Sequence, residues 1–357
     1  MTFIHTCALK SGMVLAADIR GDKGELLLSG GQVLTFKHIS RLISGAVDGA
    51  YVTDGNEDAS QTRGIISRTL RDNTMVAVKT LFDIAGAGSK NGIDQAYFSL
   101  ESCLDEIIDE ILQNKDVVSN IVDIKTYDDY TYQHSVNVAA LAVVVGASLN
   151  MSRRGLYRLG MGALLHDIGK IYIPKEILNK QGKLTYEQYE LMKEHPKLGY
   201  DYLKGRWKVP TESIIAVLTH HERCDGTGYP YGITAEKQTL EGKLVAICDV
   251  YDALISERPY RPALPPSEAM EHIIGNSGTM FDEKLIKEFI CKIAPYPVNT
   301  KVVLSNGLKA RVIENYSNGL ARPRLIVENT VFGDEGEILD LFNDPELFNV
   351  TIVKVDR

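Results

Sequence analysis

The sequence predicts a mainly α-helical protein in which a helical bundle domain carries a small β-rich module on either side. Three observations predict it. Between about 93 and 294, apolar residues recur at i, i+3 and i+4, with few alternating β-branched runs between them. The first fifty-odd residues instead hold short apolar runs separated by Gly/Asp turns, as in GMVLAADIRGDKGELLLSGGQVL and AVDGAYVTDG. After the PYP at 295–297 the pattern changes again, to alternating runs around an Asn-Gly pair.

In chain order, residues 1–58 form the amino-terminal β-rich module, with one helix near 37–45. Residues 59–124 form a helical linker, since SQTRGIISRTLRDNTMVAVKTLFDIAGAG at 60–88 has helical spacing and a glycine-rich end. Residues 125–294 form the helical domain. Helices are expected near 93–123, 131–150, 153–167, 185–204, 211–222, 240–256, 265–276 and 281–293. The most apolar stretch, VNVAALAVVVGASL at 136–149, is too short to span a bilayer and contains Asn137 and Ser148, so it is expected as a buried helix. Residues 295–357 form the carboxy-terminal β-rich module, with TKVVLSNGLKARVIENY as a hairpin and RLIVEN and FNVTIVKV as further strands.

A chain of 357 residues has room for two or three domains, and 44% hydrophobic with 24% charged residues is ordinary globular composition. The formal net charge of −8 offers no general attraction for nucleic acid polymers or anionic lipid. An anionic substrate must therefore be held by a local cluster of cations, which favours a small ligand over a polymer. Cys7, Cys103, Cys224, Cys248 and Cys291 are odd in number and lack a CxxC spacing, which argues against a disulfide framework or a thiolate zinc site. The start MTFIHTCALKSGM shows no basic segment followed by an apolar run, so no secretory signal is expected and the cytoplasm is the expected compartment.

Chemistry concentrates in the histidines. Five of the eight, His134, His166, His195 and the pair His220 and His221, lie in four places between 134 and 221 in the helical domain, accompanied by Asp167 and Asp249. Neutral imidazoles and carboxylates without cysteine suit divalent iron, manganese or zinc. A bundle places such ligands on facing helices, so wide separation in sequence is what an interior metal site requires. His134 opens one expected helix, His166 and Asp167 close another, His195 sits late in a third, His220 and His221 end a fourth, and Asp249 lies inside LVAICDVYDAL. Seven candidates exceed the needs of one ion and imply two, with a carboxylate such as Asp167 bridging them. A lone histidine is more often packed or capping than metal-binding, and His5, His38 and His272 are read in that way.

Four segments, HDIGKIYIPKEILNKQGKLT, MKEHPKLGYDYL, HHERCDGTGYP and CDVYDALISERPYR, closely resemble the HD-GYP domain, a subgroup of the HD metal-dependent phosphohydrolases. The resemblance covers about 125–292 and agrees in motif identity and order. It implies a phosphodiesterase of the second messenger cyclic di-GMP with a non-haem centre of iron or manganese, for which Zn, Ni, Mg or Ca can substitute in crystals. It implies that His134, His166, Asp167 and Asp249 ligate one metal, and that Asp167, His195, His220 and His221 ligate the other. Lys170 matches a lysine near the hydrolytic water and scissile phosphate, and Arg258 and Arg261 match cations that hold the substrate phosphates. Trinuclear members carry a glutamate four residues before the first histidine; Tyr130 stands there in this chain, so two ions are expected, with Asp128 and Asp129 left to approach from a looser position.

The loop Gly228, Tyr229, Pro230 has two readings. It shapes the substrate mouth, or it is a docking surface for diguanylate cyclase (GGDEF) domains, as the resemblance implies. Gly226 and Gly228 supply turn freedom and Pro230 rigidity, and Arg223 and Asp225 are placed to order the loop. The expected reaction is attack of a metal-activated hydroxide on phosphorus with the ribose O3′ leaving, giving pGpG and then GMP. Another cyclic dinucleotide such as cyclic GMP-AMP, or a weakly active receptor acting through the GYP surface, are the alternatives. The terminal modules resemble appendages of such domains and are expected to serve packing or homodimerisation.

Overall fold

The computed structural model describes residues 2–15, 19–20, 26–44, 47, 49–53, 65–89, 91–113, 130–180, 182–205, 209–256, 263–316, 319–328 and 335–356. The chain divides into two compact units, Met1–Arg63 and Gly64–Arg357. In the first, β1 (Thr2–His5), β2 (Val14–Leu15), β3 (Ile19–Arg20) and β4 (Leu26–Leu28) precede α1 (Phe36–Ser44) and β5 (Gly49–Thr53). β5 lies between β1 and β2 in an antiparallel sheet, and β3 pairs with β4. Leu15, Leu34 and Leu42 are buried beneath them.

The second unit opens with α2 (Arg68–Gly86), α3 (Ile93–Gln113), α4 (Tyr130–Ser148) and α5 (Arg153–Leu165). α2 and α3 lie in the stretch read as a linker. Each carries an apolar stripe, Leu81 on one and Leu100, Leu104 and Ile107 on the other, that is buried in the same core as α4 and α5. A β-carbon on Gly160 of α5 would come within 2.5 Å of Leu104, which shows how closely α3 approaches. Every residue from Val136 to Val143 is buried, consistent with a core helix, and no helix among the described residues is long and apolar enough to cross a membrane.

A 3-10 turn at Ile168–Tyr172 leads through α6 (Lys175–Leu178) to α7 (Tyr186–Met192) and α8 (His195–Leu203). The single helix expected at 185–204 is therefore two, and His195 begins the second instead of sitting late in one. Proline explains the break: Pro196 has no amide hydrogen to give the carbonyl of Met192, as a continuous helix would require. Thr185 and Gln188 cap α7 reciprocally. Next come α9 (Thr211–Thr219), α10 (Leu240–Ile255), α11 (Pro266–Gly275) and α12 (Glu283–Ile290). Ser152 and Thr239 start α5 and α10 by accepting from the amides of Gly155 and Gly242.

The unit ends in an antiparallel sheet of β6 (Lys301–Leu304), β7 (Lys309–Glu314), β8 (Arg324–Val327), β9 (Ile338–Asp340) and β10 (Ile352–Val355), ordered β10-β6-β7-β8-β9. Val302, Leu304, Ala310, Val312, Leu325 and Val327 alternate inward to form its core. The expected hairpin is present. Its connection spans 305–308 and is longer than a two-residue Asn-Gly turn, with Gly307 at φ +85°.

Gly169 sets the distance between the 3-10 turn and α8. A β-carbon there would lie 1.9 Å from the His195 carbonyl oxygen and 2.5 Å from the Gly199 amide, both immovable backbone. Gly169→Ala is expected to destabilise the protein by about 3 kcal/mol or to prevent folding. Gly275→Ala, whose added carbon meets nothing within 4 Å, serves as the neutral control. Denaturant unfolding of both variants measures this; equal midpoints would contradict it.

Candidate metal centre

Helix ends aim three of the histidines. An α-helix leaves its last carbonyls without amide partners. His166 and His220, at the carboxy ends of α5 and α9, give Nδ1–H to the carbonyls of Ala163 and Val217, each at 2.7 Å. His195 gives Nδ1–H to Met192 O, also at 2.7 Å, taking the carbonyl that Pro196 cannot reach. Because a carbonyl only accepts, Nδ1 carries the hydrogen in all three rings and Nε2 presents a lone pair.

Those lone pairs converge. His195 Nε2 and His220 Nε2 are 3.2 Å apart, and His166 Nε2 is buried without a hydrogen-bond partner among the described residues. Asp167 stands between them, with Oδ2 3.4 Å from His166 Nε2 and Oδ1 3.4 Å from His195 Nε2. Asp249 of α10 lies 3.9 Å from both His166 Nε2 and His221 Nδ1. Ligand atoms fall within 4.8 Å of one another in three groups: His195, His220 and His221; His134, His166 and Asp167; and His166, His220 and Asp249. The third group shares members with the other two, so the seven side chains form one continuous cluster.

Acceptors face acceptors here in a buried site, an arrangement that only a cation relieves. Burial pushes His195 down to about 3 and His221 to about 4, and drives His220 down as well. These rings are neutral near pH 7, the state a metal requires. Burial would raise Asp167, yet Lys170, whose Nζ donates to Asp167 Oδ2 at 2.5 Å, holds it well below the usual carboxylate range. Asp249 is likewise held low by His134 against its burial. The donor set therefore fits divalent metal binding.

His134, in the second turn of α4, differs from the others. Its Nδ1 is 2.6 Å from Asp252 Oδ2 and its Nε2 3.0 Å from Asp249 Oδ1. Burial opposes its charge, but the two carboxylates outweigh burial and raise it to about 9. Asn137, one turn on, donates to the other oxygen of Asp252 at 3.0 Å. Asp252 thus orients the His134 ring within the cluster, a role the sequence reading did not give it. Its signal was present: Asp249 and Asp252 share a face of α10 at i, i+3, and both are buried.

Glu222 was also missed. It is buried directly after the histidine pair, and its two oxygens accept from the amides of Tyr231 at 2.7 Å and Ile233 at 3.0 Å. This ties the loop carrying Gly228, Tyr229 and Pro230 to the histidine pair. A β-carbon on Gly228 would lie 2.4 Å from the Arg223 amide, so only glycine fits. Tyr229 donates its amide to His221 O and lays its ring over the His221 imidazole, centroids 4.7 Å apart at 30°. Arg223 pairs with Asp225, whose carboxylate also accepts from the Thr227 amide and hydroxyl. Arg258 and Arg261 lie outside the described residues, as do Asp128 and Asp129; Tyr130 begins α4, and its side chain is outside them too.

The family model described as HD domain matches residues 116–285, which include every member of this cluster. The chain carries an HD domain over these residues. Among curated relatives, the HD chain is 37% identical over 251 residues to a protein of Pseudomonas aeruginosa named cyclic di-GMP phosphodiesterase, covering 70% of this chain and 59% of that one. It is 35% identical over 198 residues to the cyclic di-GMP phosphodiesterase response regulator of Xanthomonas campestris, covering 54% and 52%. The chain thus spans little more than half the length of these relatives. A solved structure from Bdellovibrio bacteriovorus, described as an HDG"Y"P protein, shares the fold with a TM-score of 0.54 at 19% identity, covering 81% of this chain and 97% of that one.

The HD cluster yields a pH prediction. In the metal-free protein His134 is protonated at pH 7, and the metal must displace its Nε2 hydrogen. Loading is expected to release about one proton per chain at pH 7 and to tighten as pH rises towards 9. A pKa raised from 6.5 to about 9 stabilises the metal-free fold fully below 6.5, and that stability is lost as pH rises through 9. Asp252→Ala is expected to weaken metal binding about 10- to 100-fold. Calorimetry in buffers of different ionisation enthalpy reads the proton count; zero release would contradict the assignment.

Proposed function

We propose that the protein is a metal-dependent phosphodiesterase that hydrolyses cyclic di-GMP. The observation that carries the reading is the set of buried, convergent imidazole lone pairs around Asp167 and Asp249. The names of the relatives support the substrate. His134, His166, Asp167 and Asp249 hold one ion and Asp167, His195, His220 and His221 the second, iron or manganese being the metals. Bound there, divalent ions acidify a water molecule and neutralise charge on phosphoryl oxygens.

The chain's own groups do the rest. Asp167 is shared between the two sets and fixes their separation. Lys170, with its side chain 30% exposed beside Asp167, offers a cation to a phosphoryl oxygen entering from solvent. His221 is the most exposed of the five imidazoles, at 24%, and marks the side from which substrate approaches. Hydrolysis adds the oxygen of water to one phosphorus and breaks its bond to the ribose O3′, which leaves with a proton; the product is linear pGpG, and a second hydrolysis gives GMP. Tyr229 and the clamped loop shape the mouth beside His221.

The test is turnover by anaerobically prepared protein loaded with Fe(II) or Mn(II). Asp167→Ala is expected to lose both metal and activity. Lys170→Ala is expected to keep its metal and lose about 10²-fold in kcat. Full activity in Asp167→Ala would overturn the reading. Cleavage of cyclic GMP-AMP in preference to cyclic di-GMP would change the substrate, and tight binding without turnover would make the protein a receptor.

A further inference from the structure

The open side of the cluster continues into a row of rings and one cation that the proposed chemistry does not use. Tyr229 lies over His221. The ammonium of Lys193 stands 5.8 Å from the Tyr229 centroid and 5.3 Å from that of Tyr189, over both rings, and is held by Glu190 at 2.7 Å. Lys193 ends α7 two residues before His195, so the helix break made by Pro196 displays this cation next to a member of the cluster.

Tyr189 is not there to build the core. α7 contributes no buried side chain, and Tyr189 is 49% exposed while Tyr186 is 75% exposed. A large ring held at the surface, beside a cation that lies over two aromatic rings and next to the mouth of a phosphodiesterase-like cluster, matches the two needs of a nucleotide: a flat apolar face for a base and a positive charge for a phosphate. The chain's net charge of −8 makes such a fixed cation significant.

We propose that Tyr189 and Lys193 form the subsite for the second nucleotide of a purine cyclic dinucleotide. The Tyr189 ring stacks on the base, and the Lys193 ammonium takes the phosphodiester away from Asp167 and Lys170. The proposal rests on the phosphodiesterase reading above. A surface ion pair with no role in recognition would leave substrate preference unmoved.

The experiment uses the full chain loaded with Mn(II) and two substrates: cyclic di-GMP, and bis(p-nitrophenyl) phosphate, a diester with no second nucleotide. Tyr189→Ala and Lys193→Ala are each expected to lower the ratio of kcat/KM for cyclic di-GMP to that for the small diester about tenfold, through KM, with metal content equal to wild type. Tyr189→Phe retains the ring and is expected to retain the ratio. Ratios within about twofold of wild type in both alanine variants would overturn the subsite. Should the wild type cleave only the small diester, the cyclic di-GMP reading fails by itself. The same variants are then read by calorimetric binding of cyclic di-GMP, where a tenfold weakening upholds the subsite and unchanged affinity overturns it.

Discussion

The centre depends on one constraint: three imidazoles spend their Nδ1 hydrogens on carbonyls three residues earlier in their own segments, at Ala163, Met192 and Val217. With that end occupied, Nε2 has only a lone pair to present. The fold then buries these lone pairs against each other and against Asp167 and Asp249. Neutral acceptors and carboxylates packed together would repel in a low-dielectric interior, and ions are what turn the arrangement into a favourable one. Gly169, Gly199 and Gly162 serve the same end, because each removes a side chain where the 3-10 turn, α8 and the α5–α9 pair must approach.

His134 supplies the asymmetry. It has carboxylates on both nitrogens, where the other three rings have a carbonyl on one side. It stands as a proton-bearing link between Asp249 and Asp252, and the contact to Asp252 on Nδ1 fixes the direction in which Nε2 points. Glu222 joins the histidine pair to the loop that follows it, so the position of Tyr229 is tied to the backbone that positions His221.

Much of this was legible in the sequence because the relevant signals are local. Helical spacing located most elements, and the five histidines with their aspartates stood out by residue type within recognisable motifs. What was not legible depended on geometry between elements. His195 moved from within a helix to the start of one because Pro196 removes one donor, an effect visible in the residue order but outweighed by the apolar spacing of 185–204. Asp252 looked like an ordinary helix residue until α4 brought His134 and Asn137 to it. Glu222 read as part of a charged turn, since nothing local says that two amides nine and eleven residues on will close over it. The stripe on α2 and α3 was visible, but its destination in the helical core was not.

Anomalous diffraction from crystals of the Mn(II)-loaded protein tests the central claim most directly. The account predicts two peaks about 3.5–4 Å apart, both touching Asp167, one with His134, His166 and Asp249 and the other with His195, His220 and His221. A single ion outside the cluster, or rings turned so that Nδ1 faces the metal and the carbonyls of Ala163, Met192 and Val217 are abandoned, would contradict it.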